Sequence, residues 1–135
     1  MKRVLFLCLG NACRSPMAEG FANHYGKGWL TAYSAGSKPA GIIMPNTIEV
    51  MQEKGIDISR QESKGISEIN LLLMHWIVIL DETLVNSIPV DSIESDIIHW
   101  FVSDPVGQPI DAYRRVRDEI EERVLKFINI VQHEA

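Results

Sequence analysis

Val4-Leu5-Phe6-Leu7-Cys8-Leu9-Gly10-Asn11-Ala12-Cys13-Arg14-Ser15-Pro16-Met17-Ala18-Glu19 is the stretch that sets the architecture. Its first half, from Lys2 to Leu9, is a short apolar run that stops at Gly-Asn, the signature of a buried strand. Its second half opens a helix over Ser15–Tyr25. Ser15 stands near the N-cap and Pro16 at the first helical position, where a missing N–H costs nothing. Met17, Phe21 and Tyr25 then recur at helical spacing. Strand, tight loop and helix therefore follow one another without a spare residue.

Further along the chain the same alternation repeats. Leu30–Ala35 reads as a second strand, closed by Gly36. Pro45–Lys54 reads as a helix that Gly55 ends. A shorter helix is expected in Ile66–Leu72. Trp76–Leu80, apolar throughout, is a third strand with both faces covered. Asp81-Glu82-Thr83 has the acidic start of a helix, and Asp96–Val102 is a fourth strand. Tyr113–Val131 is an amphipathic helix with Val116, Ile120, Val124, Phe127 and Val131 on one stripe. The charges of Arg114 to Arg123 read as its solvated face. The fold class is therefore α/β, a four-stranded parallel sheet flanked by helices on both faces, in a single domain over 1–135. In such sheets ligands bind outside the carboxyl ends of the strands. Cys8 and Asp104 both fall at such ends.

Composition narrows the partners. The chain has 135 residues, 46% apolar and 23% charged, with a net charge of −5. That balance argues against nucleic acid and anionic membrane, which reward clustered cations. An anionic substrate must then be held by local geometry. The apolar part of the N-terminal run, Val4 to Leu9, is shorter than the ~7–15 residues of a signal core. Leu71 to Leu80, interrupted by His75, is about half the ~20 residues of a membrane span. Two cysteines make no disulfide scaffold. The expectation is a cytoplasmic protein with reduced thiols.

The loop from Cys8 to Ser15 suits a tetrahedral oxyanion. A tight turn into a helix N-terminus aims consecutive backbone N–H groups at an anion and adds the helix dipole. Leu9, Gly10, Asn11, Ala12, Cys13 and Ser15 form that substrate-binding loop, and Gly10 and Asn11 tolerate positive backbone angles. Arg14 can clamp two oxygens at once, as lysine cannot. A thiol at a helix N-terminus beside an arginine ionises more readily than a free one, which suits Cys8 as nucleophile. Ser15 is positioned to donate its hydroxyl to the Cys8 sulfur.

With those residues laid out, the chain resembles the low-molecular-weight protein tyrosine phosphatases and the thioredoxin-coupled arsenate reductases that share their fold. The likeness starts with the stretch quoted above. It continues through Ser34-Ala35-Gly36, Gly55-Ile56-Asp57-Ile58-Ser59 and Asp81-Glu82 to Asp104-Pro105, essentially the whole chain. The resemblance implies a three-layer fold with Cys8 as nucleophile, Arg14 as oxyanion clamp and Asp104 as general acid, then base. It implies that Asn11 and Ser34 support the loop, and that no metal or other cofactor takes part.

The first reading is a phosphomonoester hydrolase of the aryl phosphate or phosphotyrosine type, working through a cysteinyl-phosphate on a phosphorylated small molecule or phosphoprotein. The alternative is an arsenate reductase using the same Cys8 loop with an external thiol reductant. Reduction needs further thiols, and Asp81 to Pro89 contains none, leaving only Cys13. Against the phosphatase, Val106-Gly107 stands where its relatives carry aromatic residues that wall a phosphotyrosine ring. A second alternative is a non-catalytic phosphate-binding module. Cys13 reads either as loop packing or as a reversible disulfide partner of Cys8. His24, His75, His99 and His133 are scattered and read as structural or solvent-facing.

Overall fold

The computed structural model describes residues 1–86, 88–89 and 92–134. Four parallel strands, β1 (Lys2–Cys8), β2 (Leu30–Gly36), β3 (Trp76–Ile79) and β4 (Asp96–His99), form one sheet in the order β2-β1-β3-β4. Val4, Leu5, Phe6 and Leu7 on β1 have no exposed surface, the reason this strand is apolar without alternation. Its register sets Cys8 beside Gly36, and Leu7 beside Ala35 and Ile79. Cys8 therefore emerges at the carboxyl edge of a central strand.

Three α-helices, α1 (Arg14–Tyr25), α2 (Pro45–Gln52) and α3 (Ile110–Glu134), share one core with Val4, Phe6, Ala32, Val78 and Leu80 of the sheet. On the opposite face, Leu5, Leu7, Ile77 and Ile79 pack with Ile66, Leu71 and Leu84. Those last three come from short 3-10 turns, Ile66–Glu68, Leu71–Leu73 and Glu82–Leu84. The three layers expected from sequence are present, with the second outer layer made of single turns. Ile66–Leu72 is thus not one continuous helix. Asp81-Glu82-Thr83 opens only one 3-10 turn, with Asp81 accepting from the Thr83 N–H.

Other boundaries move modestly. β4 is shorter than Asp96–Val102, although Trp100 and Val102 still donate to Ile79 and Leu80. α3 begins at Ile110, one turn before Tyr113, and α2 ends at Gln52, with Gly55 at φ +75° in the turn that follows. The charged face of α3 is not wholly solvated: Arg117 is buried and donates to the Val50 carbonyl and to Glu53. Arg114 grips the same Glu53, so these arginines fasten α3 to α2.

Candidate active site

The chain leaves β1 at Cys8 and turns sharply into α1. Three loop carbonyls face away from the turn: Leu9 O accepts from Lys38 N, Gly10 O from Ala40 N and Ala12 O from Met44 N, each at 2.9 Å. A trans peptide sets its N–H opposite its C=O. The N–H groups of Gly10, Asn11 and Cys13 therefore face the other way, toward the concave side. Among the described residues no protein group accepts from the backbone N–H groups of Leu9 to Ser15. This is an anion cradle made of backbone.

Asn11 is the pin of the loop. Among the described residues it is the non-glycine residue with positive φ, at 46°, while Gly10 needs no such angle. The Asn11 Oδ1 accepts from Lys64 N at 2.8 Å, which fixes Nδ2 as the donor to Ser15 Oγ at 2.8 Å and Ser34 Oγ at 2.9 Å. Each serine oxygen thus accepts one hydrogen bond and directs its own O–H elsewhere: Ser34 to Glu19, Ser15 to the Cys8 sulfur 2.9 Å away. Burial, foremost, pushes the Glu19 carboxyl above its ordinary range, against the Ser34 hydroxyl and the charge of Lys64.

Ser15 was expected at the N-cap of α1. The cap lies two residues earlier, at Cys13, which makes no side-chain capping bond, and the helix begins at Arg14. The Ser15 hydroxyl is spent on Cys8 instead. Gly36 is required by contact: a Cβ there would lie 2.6 Å from Leu9 O and 2.9 Å from Asn11 N. Strand β2 thus approaches the loop too closely for any side chain.

Arg14 is 6% exposed and held from behind. Its Nη1 donates to Val102 O and its Nη2 to Asp81 Oδ2, both at 2.9 Å. Asp104 Oδ2 stands 3.8 Å from the same Nη2, and its Oδ1 accepts from Val106 N. Burial opposes the charge of Asp81, but bonds from Thr83 and the Arg14 guanidinium outweigh it and hold the carboxyl below its usual range. The Asp104 side chain is about half exposed, at 48%, against 9% for Asp81. A cavity of about 310 Å³ runs along this side, lined by Arg14, Asp81, Thr83, Phe101 and Asp104.

Cys8, Arg14, Ser15, Asn11 and Ser34 thus meet around one loop, with Asp104 beside Arg14 at its mouth. Sequence reasoning missed the roles of Asp81, Glu19 and Gly36. An acidic residue directly after a buried strand, at the carboxyl edge, was the available signal for Asp81. Cys13 lies in the loop but is buried, which pushes its thiol from 9.0 up to about 12. The nearby Thr47 hydroxyl, which makes no hydrogen bond of ordinary geometry, and the Arg14 charge do not offset this. Val106 is exposed and Gly107 has φ +87°, so no aromatic wall follows Asp104-Pro105. Among the described residues no His, Cys, Asp or Glu cluster is fit for a metal. No helix there is long and apolar enough to cross a membrane. Ser87, in the segment that lacks a second thiol, lies outside the described residues.

Comparison with known proteins agrees with this fold. The family model for low molecular weight phosphotyrosine protein phosphatase matches residues 3–135. A glutaredoxin arsenate reductase from Synechocystis sp. is 38% identical over 129 residues, covering 95% of this chain and 97% of the relative. A solved arsenate reductase in its phosphate-binding state superposes with a TM-score of 0.87 at 38% identity, over 96% of this chain and 98% of that one. The low molecular weight protein tyrosine phosphatase from T. tengcongensis gives a TM-score of 0.80 at 31% identity, over 96% and 99% of the two chains.

Proposed function

The chain belongs to the low molecular weight phosphotyrosine protein phosphatase family, and from that premise we propose that it is an arsenate reductase drawing on an outside thiol. Sequence alone favoured the phosphatase. The kinship reverses that order: a relative sharing 38% identity across nearly the whole chain is named a glutaredoxin arsenate reductase, and that observation carries the reading. The thiol inventory supports it. Cys13 is a buried, strongly protonated thiol, and Asp81 to Pro89 offers no other, so the electrons must come from outside.

In this reading the cradle N–H groups and Arg14 bind arsenate, and the Cys8 thiolate attacks arsenic. Asp104 protonates the oxygen that leaves as water. An external thiolate then attacks the Cys8 sulfur, forming a mixed disulfide. The electron pair of the S–As bond leaves with arsenic, now trivalent as arsenite. A second external thiol restores Cys8, so two thiols become one disulfide per arsenate reduced. Ser15, donating to the sulfur, stabilises Cys8 as nucleophile and as leaving group.

A phosphatase reading retains one specific support. A solved low molecular weight protein tyrosine phosphatase also superposes with a TM-score of 0.80 at 31% identity, and phosphocysteine hydrolysis needs only Cys8, Arg14 and Asp104. The test is arsenite production with glutathione and glutaredoxin, run beside p-nitrophenyl phosphate hydrolysis, for wild type and Cys8→Ser. Arsenite formation that Cys8→Ser abolishes is expected. Aryl phosphate turnover without arsenite would return the phosphatase to first place, and neither activity would favour the binding module.

A further inference from the structure

Two consecutive residues far along the chain hold two consecutive residues of the Cys8 loop. Ser63 Oγ donates to Gly10 O at 3.1 Å, and Lys64 N donates to Asn11 Oδ1 at 2.8 Å, each across 53 residues of sequence. Lys64 contributes only its backbone here, whereas Ser63 contributes its side chain. The same serine oxygen accepts from Gly41 N at 3.1 Å. Having accepted that N–H, the hydroxyl directs its own proton to Gly10 O. Segment 63–65 is itself anchored. Lys64 O accepts from Gly36 N, and Gly65 forms a parallel bridge with Gly36 at the end of β2. Half-buried Ser63 thus joins the Cys8 loop, the exposed turn at Gly41 and the end of β2.

We propose that Ser63 is a positioning residue of the oxyanion cradle, locking the Gly10–Asn11 peptide with its N–H turned toward the bound anion. The peptide that carries the Gly10 C=O carries the Asn11 N–H on its opposite side. Gly10 O already accepts from Ala40 N at 2.9 Å, and the Ser63 hydroxyl takes its second lone pair. The lock is needed because Asn11 holds φ +46°, a region that a residue with a Cβ keeps only under constraint. Rotating that one peptide would carry Asn11 back to negative φ and turn its N–H away from the anion. Two bonds to Gly10 O oppose the rotation. Ser63 also strengthens the donor that it aims. Gly41 N–H, Ser63 O–H and the Gly10–Asn11 peptide form a chain of hydrogen bonds ending on the anion, and each member polarises the next. The Ser63 hydrogen bonds reach none of Cys8, Arg14 and Asp104. Its effect therefore falls on anion binding, not on the thiol or the proton donor. This role rests on the oxyanion reading of the loop, and it is the same for arsenate and phosphate, which share shape and charge.

The experiment measures inorganic phosphate binding by calorimetry, and arsenate turnover, for wild type, Ser63→Ala and Ser63→Thr. Ser63→Ala should weaken phosphate binding and raise KM for arsenate by roughly three- to tenfold, the worth of one hydrogen bond. Its kcat should change by less than about twofold, since the same N–H serves the anion before and during reaction. Ser63→Thr keeps the hydroxyl and should restore most of the affinity. Wild type gives a further readout that needs no variant: phosphate should move the Asn11 amide proton downfield in NMR spectra. Unchanged phosphate affinity in a folded Ser63→Ala would overturn the proposal. So would a Ser63→Thr as weak as Ser63→Ala, or a wild-type Asn11 amide that phosphate leaves in place. A wild type that binds phosphate but makes no arsenite counts against the reductase reading alone, and the binding arm still decides the role of Ser63.

Discussion

Cys8 and Cys13 sit in one loop, with 2% and 3% of their surfaces exposed, yet their surroundings differ in kind. Cys8 ends a strand and accepts a hydrogen bond from a serine whose own donor is fixed by Asn11. It lies beside a cradle of N–H groups that no protein oxygen among the described residues uses. Cys13 caps α1 among apolar neighbours of the main core, where burial pushes its thiol up to about 12. Equal burial therefore does not mean equal surroundings. What separates the two sulfurs is their polar partners: the Ser15 hydroxyl stands 2.9 Å from Cys8, while burial dominates at Cys13.

The contrast can be broken most severely at Cys8. Cys8→Ser should take arsenate turnover to the uncatalysed background while leaving the thermal midpoint nearly unchanged. Arg14→Lys should follow, with kcat/KM reduced roughly 10²–10³-fold, because an ammonium cannot keep the Asp81 and Val102 bonds and still span two oxyanion oxygens. Asp81→Asn comes next. It leaves the guanidinium without its charged partner, and misplacement of the clamp should cost between about tenfold and 10²-fold in turnover. KM should rise as well, and Asp81→Glu should rescue part of the loss.

The smallest effects belong to Cys13. Cys13→Ser should change turnover with an external thiol by less than about threefold, while a hydroxyl in that apolar site lowers stability by about 1–3 kcal/mol. Denaturant titration separates the two quantities. The same thiol sets a pH dependence. Its folded value is raised from 9.0 to about 12, so the native state holds a proton that the unfolded chain gives up. The contribution to stability is complete below about pH 9 and should fade as pH rises toward 12. Wild type should show that alkaline decline, and Cys13→Ser should lack it.

Much of this contrast was legible in the sequence. One apolar strand, a Gly-Asn turn and Ser-Pro at a helix start define a strand–loop–helix unit by local chemistry alone, which placed Cys8, Arg14 and Ser15 together. What escaped was settled by tertiary contact. Ser15 looked like a cap because serine usually bonds its own helix, but the Cys8 sulfur competes for its hydroxyl. Asp81-Glu82-Thr83 carries a helix-start pattern that ends after one turn. Asp81 then serves Arg14, far away in sequence, and no local pattern reports that. Arg117 sat on a charged stripe, yet the Val50 carbonyl and Glu53 of a neighbouring segment draw it inward. Gly36 reads as the end of a strand, and its steric reason appears only once β2 lies against the loop.

In the proposed reaction Cys8, without help from Cys13, passes electrons from an outside thiol to arsenate. Its most direct test is a single turnover of Cys13→Ser with arsenate and glutathione, quenched in acid and read by peptide mass spectrometry with arsenite measured in the same sample. Arsenite is expected together with a glutathione disulfide on the Cys8 peptide. Arsenite from wild type but not from Cys13→Ser, or no glutathione adduct in either, would contradict it.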